Sequence, residues 1–403
     1  MSRSQDRRGW AILALLFASL AVNLLDRQVL SLVAPVLREQ LNLTNTQYAN
    51  VVFCFLLGLT LAQLPAGALL DRRGARWGLP FLMLWWSAAN ALHAAARGVW
   101  GLGALRFLLG AGESGNYSAG VKVIAEWFPA ERRALAGGIF NTGSVMGAFV
   151  APPLVVFLAS RYGWRMAFLL PSAMGLLWLG PWLAVYRSRS TSGPGAGPTE
   201  AAGRRPLWKL RQAWGAALMR ALGGPVNHFY WYWLPLYLKQ ERGFSLEQIG
   251  MMAGFPFLFG GLGNVAGGWF SSFLMSRGAT ADRARKTAFA AAAACSLASL
   301  AAPLASSGGQ ALALICLASF GVSVYAATWI GLTTDLFPQQ EAARATGLAG
   351  LCEGITNMIF TLATGRIVDR YSYLPVFLAA GLLPALGLAS LFLTIRRVER
   401  VGP

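Results

Sequence analysis

The chain has 403 residues, 56% of them hydrophobic and 12% charged, with a formal net charge of +18 and a mean hydropathy of +0.50. A soluble domain carries about one-quarter charged residues, so this balance excludes an ordinary soluble protein and points to a membrane. Nor does the positive charge indicate nucleic acid, because the basic residues stand in islands after every second apolar run.

A helix needs about 20 apolar residues to cross a bilayer. Twelve such runs follow one another, at 10–37, 47–70, 77–97, 100–125, 134–160 and 165–187, then at 210–238, 246–275, 284–305, 309–336, 344–368 and 373–395. The first follows Arg3, Arg7 and Arg8 and lacks a small-residue cleavage site at its end, so it reads as a span and not as a signal peptide. Basic islands at the N-terminus, at 71–76 (DRRGAR), in the central stretch, at 277–286 and at the C-terminus obey the positive-inside rule for an even number of spans with both termini in the cytoplasm.

Residues 188–209 contain SRSTSGPGAGPTEAAGRRP, whose Ser, Gly and Pro content predicts a flexible cytoplasmic linker between halves 1–187 and 210–403. The halves resemble each other. EWFPAERRALAGG and DLFPQQEAARATG align with Pro129 on Pro338, and the same 209-residue offset carries Arg161 and Tyr162 onto Arg370 and Tyr371. The expected fold is therefore all-α, twelve transmembrane helices in two pseudo-symmetric six-helix bundles, with substrate bound near the midplane between repeats.

Charged residues are scarce inside the runs. Asp26 and Arg27 lie in the first, Arg106 and Glu113 in the fourth, and Glu353 in the eleventh. Each costs about 2.5–3.5 kcal/mol at a helix centre, so they must be paired, hydrated or protonated. Helical spacing places Asn23, Asp26 and Arg27 on one face, and Arg106, Glu113, Asn116 and Tyr117 on another. Two polar stripes imply a wet or ligand-lined cavity, although an ion-pair lattice that only fixes packing is the structural alternative. Gly110, Gly112 and Gly115 spell GxGxxG, but no strand precedes them, so they fit close helix approach and not a dinucleotide site.

The loop GALLDRRGAR offers Asp71, Arg72 and Arg76 as a gate, the carboxylate accepting bonds from arginines or from a helix N-terminus. In the second half, Asn227 and His228 within GGPVNHFYWYWLPLYL, Trp329 in YAATWIG, and Glu353 with Asn357 four residues on are further cavity candidates. His93, alone in an apolar run, reads as a packing residue, as do Cys54, Cys295, Cys316 and Cys352. No catalytic triad, metal-ligand spacing or phosphate loop supports an enzyme.

Along its whole length the chain resembles the major facilitator superfamily, with GALLDRRGAR matching the signature loop after span two and a degenerate counterpart near GGWFSSFLMSRG. More narrowly, NLLDRQVLSLVAP, RFLLGAGESGNYSAGVKVIAEWFP, RALAGGIFNTGSVMGAFVAPP and YGWRMAF look like the anion:cation symporter branch of hexuronate and galactonate transporters, sialin and vesicular glutamate transporters. The resemblance implies proton-coupled symport of an organic anion by alternating access: a hexuronate, an aldonate or another monocarboxylate. Asp26 and Glu113 fall on acidic, proton-linked positions, and Arg27 and Arg106 on arginines that orient the substrate carboxylate or pair with those acids. Asn116, Tyr117, Asn141 and Ser144 fall on cavity-lining positions.

Leu24 and Leu59 stand where sugar-acid carriers often have tyrosine, and Ser144 where galactonate carriers can have glutamine, which leaves room for a less polar carboxylate. Glu353 stands where a small or polar residue is expected, so a second proton or sodium site stays open. No cofactor is expected beyond the coupling ion, a proton, with sodium as the alternative. The expected partners are a small organic anion and membrane lipid, for a monomer in a bacterial inner (plasma) membrane. A proton-coupled drug or lipid exporter of the same fold and a non-transporting membrane sensor are the competing readings. GSVMGAFVAPP without the antiporter signature weighs against the first, and retention of both polar stripes against the second.

Overall fold

A computed structural model describes residues 3–187, 209–337 and 339–399, in which no strand occurs. The linker predicted at 188–209 lies, but for Lys209, outside the described residues. The described helices are α1 (Arg3–Leu41), α2 (Asn45–Leu92), α3 (Val99–Glu113), α4 (Asn116–Trp127), α5 (Ala130–Tyr162), α6 (Trp164–Val185), α7 (Arg211–Gln240), α8 (Leu246–Met252), α9 (Phe255–Ser276), α10 (Ala281–Ser296), α11 (Ala298–Ala301), α12 (Gly308–Leu336), α13 (Gln339–Arg370) and α14 (Leu374–Thr394).

These helices map onto twelve spans. α2 carries the second and third, joined at Gly74, whose φ of 67° and ψ of 168° break the helix at a backbone angle that glycine adopts without steric cost. The fourth span divides into α3 and α4, the eighth into α8 and α9, and the ninth into α10 and α11. The fourth breaks where Gly115 fits beneath Leu82 and Ala66, whose side-chain atoms would lie 2.5 and 3.0 Å from an added Cβ. Eight described segments are long and apolar enough to cross a membrane alone. Those falling short include α7 and α13, which carry Arg220, His228, Glu353 and Asn357, so the polar cargo itself weakens their apolar signal.

The chain forms two compact units. The first takes in α1, α2 from Asn50 onward, α3–α6, and Leu246–Gly254 with α8. Here α1 lies tightly against α5, because Gly143 and Gly147 face the carbonyls of Phe17 and Ala21 where any side chain would collide with backbone. Trp178, Trp182 and Tyr186 stack at 4.9 and 4.5 Å between successive centroids at the end of α6. That end is capped by cations: Arg8 donates to the Val185 carbonyl and Arg76 to the Tyr186 carbonyl, both at 2.8 Å. α8 belongs to this unit because Gly250 fits against Val156 of α5.

The second unit holds α7, α9–α14 and the residues Thr44–Ala49 at the start of α2. Its core gathers Met219, Phe289, Tyr325, Trp329, Leu332 and Phe337. The start of α2 is tied in by Asp369, whose carboxylate accepts the Asn45 and Thr46 amides at 2.9 and 2.7 Å and the Thr46 hydroxyl at 2.6 Å. The internal repeat shows in the capping of the last helix. Lys286 donates to the Arg396 carbonyl at 2.5 Å as Arg76 does to the Tyr186 carbonyl, the pairs being 210 residues apart (76 to 286, 186 to 396), one residue off the 209-residue offset of the matching segments. Arg211 donates to the Leu393 carbonyl of the same helix end. These two exchanged segments, at 44–49 and 246–254, are the departures from the halves drawn at 187 and 210.

Candidate functional site

The first unit concentrates its charges in one place. α1 brings Asp26 and Arg27, consecutive residues that diverge by about 100° around the helix and so reach different neighbours. Arg27 Nε donates to Glu113 Oε2 of α3 at 2.6 Å; the Glu113 side chain is fully enclosed, while that of Arg27 keeps 18% of its surface accessible. Asp26 is fully buried and accepts a 2.7 Å bond at Oδ1 from Asn90 Nδ2, whose amide also reaches the Ser172 hydroxyl at 3.2 Å. Arg106 is 1% exposed. Its guanidinium carbon lies 5.8 Å from the Phe55 ring centroid, and that of Arg27 lies 5.5 Å from the same ring. Phe55 thus offers its π system to both cations.

The glycines of the fourth span explain how α3 can carry these groups. Gly58 of α2 faces the Phe107 carbonyl and Gly110 of α3 faces the Phe55 carbonyl, a reciprocal contact that only hydrogen-sized side chains permit. The GxGxxG sequence is therefore a helix-packing surface, and it seats Arg106 and Glu113 beside α1 and α2.

The remaining first-half candidates separate. Asn116, at the start of α4, accepts from the Ser19 hydroxyl at 3.2 Å and returns its amide to the Ser19 carbonyl at 3.4 Å. Tyr117 does not continue the buried stripe: past the break at Gly115 it is 54% exposed, with its ring 5.8 Å from that of Phe140. Asn141 is exposed, and the half-buried Ser144 spends its hydroxyl on the Asn141 carbonyl at 2.7 Å. At the loop, Asp71 accepts from Lys122 Nζ of α4 at 2.8 Å, the lysine also reaching the Leu70 carbonyl at 3.1 Å. Arg76 is engaged at the end of α6, and Arg72 is exposed. His93 is buried, bonded through Nδ1 to the Ala89 carbonyl at 2.8 Å and stacked on Phe168 at 5.0 Å, as a packing residue would be.

The second unit has a polar cluster of its own. Glu353 of α13 pairs with Arg220 of α7, Nε to Oε2 at 2.7 Å, and the Arg220 guanidinium lies 5.3 Å from the Trp329 ring centroid. Trp329 is 3% exposed and its indole donates to the Ala216 carbonyl at 2.8 Å, so it works as a fixed support. Asn357 Nδ2 lies 3.1 Å from His228 Nδ1, and the neighbouring Asn227 is half-buried. A groove of about 550 Å³ elsewhere in this unit, among Phe255, Phe259, Leu312, Cys316 and Phe320, has no charged lining residue and takes no part in this chemistry.

Three contributors escape sequence reasoning. Arg220 is an arginine well inside the seventh span, a signal as plain as Arg106. Asn90 and Phe55 become meaningful only through their partners, 64 residues away at Asp26 in the case of Asn90. Among the described residues, no group of three or more His, Cys, Asp or Glu side chains is arranged to hold a metal ion.

The chain matches the Major Facilitator Superfamily over residues 16–361 and 272–403. It is 30% identical over 396 residues to the hexuronate transporter of Escherichia coli (strain K12), covering 94% of this chain and 92% of that protein. It is 34% identical over 277 residues to the galacturonate transporter of Dickeya chrysanthemi, covering 64% and 80%. Among solved structures it is similar to a bacterial homologue of the human lysosomal transporter Spinster, with a TM-score of 0.80 at 18% identity over 98% of both chains. It is also similar to a D-xylose–proton symporter, with a TM-score of 0.78 at 15% identity over 95% and 96%. At those identities the solved structures bear on the fold alone. The twelve-span architecture and the family match together make this an integral membrane protein that belongs to the major facilitator superfamily.

Proposed function

We propose that the protein is a proton-coupled symporter that carries small organic anions, hexuronates or aldonates foremost, by alternating access. The observation that carries this reading is the Arg27–Glu113 pair, in which a sealed carboxylate bonds at 2.6 Å to an arginine whose side chain stays partly accessible. An arriving carboxylate competes with Glu113 for Arg27, and a proton on Glu113 ends that competition, because a neutral acid holds a cation far less strongly. Substrate binding and protonation then favour each other, which is the thermodynamic requirement for symport. Asp26, fully enclosed behind Asn90, is the second proton-linked acid, and Arg106 the cation that offsets whichever acid is charged. Asn116, Tyr117, Asn141 and Ser144 in the first unit, and Asn227, His228 and Asn357 in the second, supply further contacts to substrate, with Trp329 as a support behind them.

The named hexuronate and galacturonate transporters support the sugar-acid class. Leu24 and Leu59, which offer no hydroxyl partner, keep a less polar monocarboxylate in play. Protons are the coupling ion of this reading and sodium its alternative. Asp71, Arg72 and Arg76 form the gate, with Lys122 as the partner of Asp71. The basic islands support cytoplasmic termini, and the bacterial relatives support a bacterial inner membrane; in this reading the protein acts there as a monomer.

The test is uptake of labelled glucuronate into proteoliposomes with and without an inward proton gradient, competed by aldonates, lactate and aromatic carboxylates. Gradient-driven accumulation with aldonates as the strongest competitors is the expected result. Accumulation of lactate or aromatic acids instead would overturn the sugar-acid class, and an inert panel would overturn anion symport.

A further inference from the structure

The Arg220–Glu353 pair has no role in the mechanism above. It lies inside two spans, where each unpaired charge would cost about 2.5–3.5 kcal/mol, so the pair demands a reason to be there. One reason would be helix packing alone. A packing pair in a membrane is sealed from its surroundings, yet here the arginine and glutamate side chains keep 29% and 16% of their surface accessible, against none for Glu113.

Three further features describe a site built around the cation. Among the described residues the Arg220 guanidinium makes one hydrogen bond, through Nε, which leaves its terminal amino groups in the fork geometry that grips a carboxylate. The Trp329 face, 5.3 Å away and anchored through its indole to the Ala216 carbonyl, keeps the guanidinium in place independently of Glu353. Gly224 leaves the glutamate room against α7, since any side chain there would bring a Cβ within 2.5 Å of Glu353 Cγ. One turn further along α13, Asn357 is 4% exposed and its Oδ1 has no hydrogen-bond partner among the described residues. That buried acceptor can take a bond from a hydroxyl or from a protonated acid.

We propose that Arg220 is a second carboxylate-binding group of this protein, occupied by Glu353 when no anion is present and surrendered to a substrate carboxylate that displaces the glutamate. The inference rests on the organic-anion reading and extends it to the second unit. Glu353 acts as a built-in competitor: it neutralises the cation at rest and sets the anion concentration needed to displace it. Arg220 accordingly discriminates carboxylates from neutral sugars, whereas Asn357 Oδ1 selects for a donor on the same ligand.

The test is titration calorimetry of glucuronate, and separately of acetate, against the purified full chain in detergent. The wild type, Arg220→Gln, Glu353→Gln and the double variant are compared, with a melting curve for each. Removing the competitor in Glu353→Gln should tighten binding about tenfold, the scale of one charge-assisted hydrogen bond, and Arg220→Gln should weaken it about as much. The double variant should match Arg220→Gln, because Glu353 has nothing to compete for once the cation is gone. If Glu353→Gln and the double variant bind both anions equally, the inference is overturned. Equal losses of melting temperature in the single variants with unchanged affinities would mark a packing pair and overturn it as well. Should the wild type bind neither anion while Glu353→Gln binds and the double variant does not, the wild type's transport assignment falls and the Arg220 site stands.

Discussion

Gly110→Ala tests whether the close approach of α2 and α3 is what positions the charges. An added Cβ would lie 2.9 Å from Leu59 N and 3.1 Å from the Phe55 carbonyl carbon, with the Phe55 carbonyl oxygen nearer still. All three are backbone atoms and cannot rotate aside, so the helices must part by roughly 1 Å, an overpacking change that typically costs about 1–3 kcal/mol. Arg106 precedes Gly110 by one helical turn, and the displaced Phe55 ring faces both Arg27 and Arg106, so the shift reaches the site. A misplacement of about 1 Å can cost up to about 100-fold in a process that depends on geometry. Gly101→Ala is the control: it lies on the same helix with nothing within 4 Å, and alanine favours a helix over glycine by about 0.8–1.0 kcal/mol. Melting in detergent and initial glucuronate uptake should show Gly101→Ala at or above wild type in stability and near it in rate. Gly110→Ala should melt several degrees lower and transport at least tenfold more slowly. Equal behaviour of the two variants would refute the packing argument.

Asn90→Leu removes the 2.7 Å donor from fully buried Asp26 and should destabilise by about 1–3 kcal/mol; unchanged melting and uptake would show that Asp26 does not depend on it. Burial acts to raise the Asp369 pKa, but the Thr46 hydroxyl and the Thr46 and Asn45 amides outweigh it and hold the carboxyl below its ordinary value. Because the folded-state value is depressed, the stabilisation is present above the unfolded carboxylate pKa of about 4 and is lost as pH falls through the lowered one. Asp369→Ala should therefore melt below wild type at neutral pH, with the gap closing in acid, and a pH-independent gap would contradict this. Arg76→Gln and Lys286→Gln each remove a bond to a terminal helix carbonyl and should each cost about 0.5–1.5 kcal/mol, with additive shifts in melting because they share no partner.

The span count and the identity of the buried charges were legible in the sequence because each depends on local composition, and the repeat because matching segments recur at one offset. A run of 20 apolar residues or an isolated Glu113 announces itself wherever the rest of the chain goes. Pairing was not legible. Asp26 and Arg27 adjoin on α1, yet one is bonded to Asn90 of α2 and the other to Glu113 of α3, and only helix packing decides which takes which. The stripe through Arg106, Glu113, Asn116 and Tyr117 assumed one continuous helix, and the break at Gly115 moved Tyr117 off the buried face. Arg220 stands out in the sequence as an arginine inside a span, but its pairing with Glu353, 133 residues away, does not.

The central claim is that Glu113 passes its hold on Arg27 to a substrate when it takes up a proton. The most direct test compares wild type with Glu113→Gln in proteoliposomes, measuring gradient-driven accumulation of labelled glucuronate and, separately, exchange of internal for external glucuronate without a gradient. Glutamine keeps the shape and cannot titrate, so the account predicts that exchange continues while accumulation against a concentration difference is lost. A variant that still concentrates glucuronate under the proton gradient at the wild-type rate would contradict it.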